Sequence, residues 1–121
     1  MTNRNVVHVE IPAADQNKAG EFYRELFGWK IVPMPEMNYV MWEAGDNSGG
    51  GFPQISEDSP AGRVTVYIDS EDVEADLKKA RTLGGRVLHE KTEIPGMGWW
   101  GFFQDPDGNV LGVFQAMKGG A

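Results

Sequence analysis

The chain has 121 residues, with 11 basic and 18 acidic side chains, a formal net charge of −7 and no cysteine. That length supports one domain with a real core. The missing thiols exclude disulfides, thiolate zinc and cysteine nucleophiles, and scattered basic residues under a negative net charge argue against nucleic acid as a partner. No apolar run approaches the ~18 residues of a membrane span, and the first residues carry no apolar signal stretch, so a cytoplasmic protein with no membrane partner is expected.

The first element is Val6-Val7-His8-Val9-Glu10-Ile11, an alternation that puts Val7, Val9 and Ile11 on one face and Val6, His8 and Glu10 on the other. Pro12-Ala13-Ala14 turns the chain and Asp15 suits an N-cap. Ala19, Phe22, Tyr23 and Leu26 then fall at i, i+3, i+4 and i+7, predicting a helix that buries them and stops at Gly28. Short strands are expected over Trp29 to Val32, Asn38 to Glu43 and Gly50 to Ile55, separated by Pro33-Met34-Pro35 and Gly45-Asp46-Asn47-Ser48. Glu57 to Gly62 is a linker. After it, Val64, Val66 and Ile68 face one way and Thr65 and Tyr67 the other. Asp69-Ser70-Glu71-Asp72 supplies a cap and first-turn acids for a second helix, with Val73, Leu77, Ala80 and Leu83 as its buried stripe. Strands follow over Arg86 to Glu90, Trp99 to Gln104 and Asn109 to Gln115, the last two joined by the turn Asp105-Pro106-Asp107-Gly108. The tail from Lys118 is expected to fray.

The chain is thus written twice. Fifty-seven residues separate His8 from its mate Thr65, and 56 separate Gly28 from Gly84. Each copy reads β-α-β-β-β, and a copy of about 60 residues is marginal alone, so the copies should pack on each other or on a partner chain. One helix covers only one face of four strands, which leaves the other face to curve into a cleft or to meet another sheet.

Residue by residue, this arrangement resembles the vicinal oxygen chelate superfamily of glyoxalases, bleomycin-resistance proteins and extradiol dioxygenases. The resemblance lies in Val7-His8-Val9-Glu10-Ile11-Pro12, in Asp15 to Tyr23 and in Leu26-Phe27-Gly28-Trp29. It continues in Leu83-Gly84-Gly85 and in Phe102-Phe103-Gln104-Asp105-Pro106-Asp107-Gly108-Asn109. It implies an α+β fold of two tandem βαβββ modules forming cupped mixed sheets: a single domain over residues 1–121, with module one at 5–56, the linker at 57–62 and module two at 63–117. It also implies four metal-ligand positions on the first and fourth strands of the modules, which map here to His8, Thr65, Gly51 and Gly112. Only His8 is an ordinary ligand, and a catalytic cation ordinarily needs about three, so no metal and no other cofactor is expected at this set.

Other residues then acquire roles. His8 and Glu10 share a face and form the candidate catalytic pair, His8 as a general base. Glycines at Gly51 and Gly112 are expected to widen the floor of a cup. Its walls would come from Tyr67, Trp42 or Met41, Trp99 or Trp100, Phe102, Val110 and Phe114, with Thr65 beside His8 and Glu10. On that reading Gly112→Leu would fill the cup and leave the fold intact. Glu43 is a substitute ligand only if it turns inward, and His89 is expected at the rim. The reading is metal-independent binding of a small apolar or aromatic ligand by a homodimer, as in the bleomycin-resistance branch. The alternatives are a lyase, isomerase or dioxygenase using His8 as base or as ligand to a divalent metal, and a non-catalytic structural or regulatory subunit.

Overall fold

The alternating and helical stretches become strands and helices in a computed structural model that describes residues 3–46 and 48–117. Expectations that fall on Met1, Thr2, Asn47 and the tail from Lys118 lie outside the described residues. In chain order the elements are β1 (Val6–Glu10), α1 (Gln16–Phe27), β2 (Lys30–Met34), β3 (Tyr39–Gly45), β4 (Ser48–Phe52), β5 (Thr65–Asp69), α2 (Val73–Thr82), β6 (Arg86–Ile94), β7 (Gly98–Gln104) and β8 (Val110–Ala116). A 3₁₀ turn over Pro35–Met37 links β2 to β3. β4 starts earlier and β6 runs further than the sequence suggests, because their antiparallel partners continue to pair with them.

The helix signals act as expected. Asp15 accepts a hydrogen bond from the Lys18 amide and Asp72 one from the Ala75 amide, each capping an orphan donor of the first turn. Gly28 ends α1 in the left-handed region at φ 76°, where only glycine is free of a β-carbon clash.

Two compact units result, one spanning Val7–Thr65 and the other joining Val66 onward to the segment through Val6. The N-terminal segment goes with the second unit because Arg4 makes a two-pronged ion pair with Asp76 of α2, at 2.7 and 2.9 Å, and Asn5 accepts from the Asp69 amide. In module one the strands run β2-β3-β4-β1, the first two pairings antiparallel and β4–β1 parallel. Module two repeats this as β6-β7-β8-β5.

Each helix covers one face of its sheet. Under α1 lie Ala13, Val40, Trp42 and Phe52, with Val9, Ile11, Tyr23, Trp29 and Ile31 packed around them. Between α2 and its sheet, Val73 and Leu77 of the helix pack on Val113, with Ile68, Val87, Trp99 and Phe103 around them. Phe52 and Leu77 are fully buried, each contributing on the order of 1.5–3 kcal/mol by leaving water.

Two helix expectations are corrected. Phe22 and Leu26 are exposed, and Gly20 is the buried residue of α1. With no side chain, Gly20 lets the helix sit directly on Ile31, which a β-carbon would press at 2.9 Å. Leu83 is likewise exposed, and so are Val7 in β1 and Val64 just before β5.

Candidate functional site

His8 and Glu10 stand on the open face of module one, opposite Val9 and the helix. β1 runs parallel to β4 with Glu10 beside Gly51, and Gly51 in turn faces Met41 of β3. Tyr39, two residues before Met41, shares this face and lies diagonal to Gly51. Because Gly51 has no side chain, the Tyr39 phenol lies over it, and a β-carbon there would run into both the hydroxyl and the ring.

From that position the phenol bridges the two sequence-predicted residues. Tyr39 Oη is 2.9 Å from His8 Nε2 and donates to Glu10 Oε2 at 2.8 Å. His8 Nε2 and Glu10 Oε2 are themselves 3.9 Å apart. A phenol has one proton to give. With that proton on the bond to Glu10, His8 donates from Nε2 and its lone pair resides on Nδ1. Burial lowers the His8 pKa below its ordinary 6.5, with the Glu10 charge opposing that fall, so the imidazole is mainly neutral at pH 7. A neutral imidazole, a phenol and a carboxylate in series form a chain that fixes the ring's tautomer and steadies a proton taken up by it.

The matching face of module two has a different chemistry. Tyr67 stands in the register position of Glu10, beside Gly112, and its ring covers that glycine so that a β-carbon would collide with it. Phe102 flanks Gly112 on the other side and Trp100 pairs with Phe114. His89, expected at the rim, is half-buried: it stacks on Trp100 at 4.1 Å and on Phe102 at 5.4 Å, and bonds Thr92 Oγ1 at 2.9 Å. Thr65, Tyr67 and Phe102 are buried.

Two expectations change as a result. Trp42 belongs to the core under α1, stacked on Trp29 at 3.9 Å, and Trp99 packs against the core under α2. Strand parity therefore leaves Met41, Trp100 and Phe102 to the open faces. The floor over Gly51 and Gly112 is not vacant, since each module's own tyrosine occupies it. Glu43, a ligand only if it turned inward, is exposed and pairs at 4.0 Å with Lys30. Tyr39 was not anticipated. The signal for it was present in a glycine at Gly51 that demanded a close neighbour, and in the shared parity of Tyr39 and Met41.

Comparison with known proteins agrees with this fold. A family model described as bleomycin resistance protein-like N-terminal matches residues 5–45. CFP32 of Mycobacterium tuberculosis, whose name carries a provisional glyoxylase label, is 30% identical over 91% of this chain, which spans only 45% of that protein. A glyoxylase-like domain-containing protein of Didymella fabae is 28% identical, covering 87% of this chain and 88% of its own. A glyoxalase/bleomycin resistance protein/dioxygenase superfamily member from Vibrio splendidus superimposes with a TM-score of 0.66 at 18% identity, over 93% and 99% of the two chains, a likeness of fold alone.

Two βαβββ modules in this register define an α+β fold of the glyoxalase/bleomycin-resistance kind. In fold and in sequence the chain is similar to members of the vicinal oxygen chelate superfamily.

The metal that many members hold does not fit the donors found here. The mapped positions offer one imidazole, one threonine and two glycines. Glu10 adds a carboxylate, but the phenol of Tyr39 already bonds both it and His8. Among the described residues no group of three or more His, Cys, Asp or Glu side chains is placed to hold a cation. No helix among them is long and apolar enough to cross a membrane.

Proposed function

We propose that the chain binds a small molecule on the open face of module one without a metal, using the His8–Tyr39–Glu10 chain as its polar anchor. The observation that carries this reading is the phenol of Tyr39, which lies over Gly51 and bonds both His8 and Glu10. It ties together two side chains that a cation would otherwise have to organise. A few convergent polar groups beside apolar surface, here Met41 and Val32, are the usual composition of a small-molecule site.

The same geometry favours a second reading. His8, with its lone pair on Nδ1 and Nε2 tied through Tyr39 to a carboxylate, is equipped to take a proton from a bound substrate. The glyoxylase names of the relatives agree with an enzyme of that class. Cytoplasmic location and a homodimer remain part of the proposal. The dimer rests on the exposed apolar side of α1, where Phe22, Leu26 and Phe27 are 59%, 57% and 60% accessible.

Native mass spectrometry of the protein isolated from its own host tests the reading. A bound small molecule, lost in both His8→Gln and Tyr39→Phe, is the expected result. A bound molecule that survives both substitutions would overturn it.

A further inference from the structure

Module one fills the space between its helix and sheet with a column of rings. Phe52 lies on Tyr23 at 5.7 Å, Tyr23 on Trp29 at 5.2 Å and Trp29 on Trp42 at 3.9 Å, with interplanar angles of 15°, 19° and 10°. Strand register carries that column onto module two. Phe52 pairs with Val40 as Val113 pairs with Gly101, so Phe52 corresponds to Val113. Trp42 pairs with Ile31 as Phe103 pairs with Val87, so Trp42 corresponds to Phe103. Trp29, two residues before Ile31, therefore corresponds to Gly85. Tyr23 falls on Lys79 when the helices are aligned by their terminal glycines, and on Ala80 when they are aligned by their N-caps.

The two middle rings of the column are thus missing from module two, and an open-sided pocket of about 350 Å³ stands in their place. Ile68, Ala80, Leu83, Gly85, Phe103 and Val113 line it, with Lys79 and the Arg4–Asp76 ion pair at its polar end. The vacancy is built into the backbone. A β-carbon on Gly85 would come within 2.8 Å of the Gln104 carbonyl and 3.0 Å of the Ala80 carbonyl, so no side chain grows there to fill the gap.

We propose that this pocket is a second ligand site, separate from the His8–Tyr39–Glu10 face, and that it takes a flat bicyclic aromatic acid. The rings would stack on Phe103 as Trp29 stacks on Trp42, replacing contacts that an empty apolar wall forgoes. The volume lies within the ~300–1,000 Å³ of small-molecule sites. The acid is assigned by charge. Arg4 is committed to Asp76, whose other oxygen accepts from Ser70, and Asp105 is occupied by the amides of its own turn. Among the described residues Lys79, the other cation on this wall, makes no salt bridge within 4 Å, and the Asp76 charge acts on it only through space.

Titration of the full chain with indole-3-carboxylate, followed by amide NMR, tests the proposal. Saturable shifts are expected at Ala80, Gly85 and Val113, with an affinity at least threefold higher than for indole. Ala80→Tyr restores the module-one ring from the helix side and Val113→Phe fills from the sheet side. Each should weaken binding at least tenfold without lowering the melting temperature. The site is overturned by the absence of saturable shifts at these amides, by shifts centred on Glu10 and Gly51, by affinity unchanged in both variants, or by both variants unfolding because the space is already full. Equal affinity for indole and its carboxylate overturns the assignment of the acid.

Discussion

Tyr39 keeps its place because its neighbour has no side chain. Gly51→Ala would drive a methyl group into the phenol, and overpacking of this kind costs about 1–3 kcal/mol. The loss should shrink markedly in a Tyr39→Ala background, and urea unfolding of the four-member mutant cycle measures that coupling. The same collision with Tyr67 makes Gly112→Leu destabilising, in place of the benign filling that the sequence suggests. His8 gives a pH signature. Its pKa in the fold lies below 6.5, so its contribution to stability is fully present above that value and declines as pH falls from 6.5 through the lower folded value. His8→Gln should flatten the stability profile across that window, and an unchanged slope would contradict the burial account. His8 and Glu10 were legible in the sequence because strand parity puts them on one face. Tyr39 and the inward turn of Trp42 were not, since the absolute facing of β3 depends on its pairing with β4, which no local pattern encodes.

At the scale of elements, caps and turns were the most legible features, because their chemistry is local. Asp15, Asp72, Gly28 and the Asp105–Asn109 turn all act through residues within a few positions of themselves. The buried stripe of α1 was misjudged because the helix packs through Gly20, and a search for large apolar residues overlooks a contact made by a missing side chain. The tether of the N-terminal segment to α2 was also invisible, as Arg4 and Asp76 lie 72 residues apart. Burial alone would raise the Asp76 pKa, but hydrogen bonds from Arg4 and Ser70 outweigh it and hold the carboxyl below 3.8. The stability this contributes is present above 3.8 and is lost as pH falls through the lowered value. Arg4→Met should therefore make the protein less stable at neutral pH and weaken its acid dependence. Acid titrations followed by circular dichroism measure both, and identical curves would show the tether to be inert.

For the whole molecule, the internal repeat was the signal that revealed the architecture. The 57-residue shift recurs between Glu10 and Tyr67, whose register partners Gly51 and Gly112 lie 61 residues apart. The repeat also exposes where the halves diverge, with a polar chain on the open face of one and an aromatic cluster on that of the other. A second copy packed on α1 should give a mass of twice 13.4 kDa in light scattering, and Phe22→Glu with Leu26→Glu should return it to the single-chain value. A wild-type monomer at micromolar concentration would remove the dimer from the account. The central claim is that a phenol, and not a cation, organises His8 and Glu10. Elemental analysis of protein purified without chelator is its most direct test: the account predicts transition metal far below one equivalent and no change in His8→Gln, whereas one equivalent of metal that disappears in His8→Gln would contradict it.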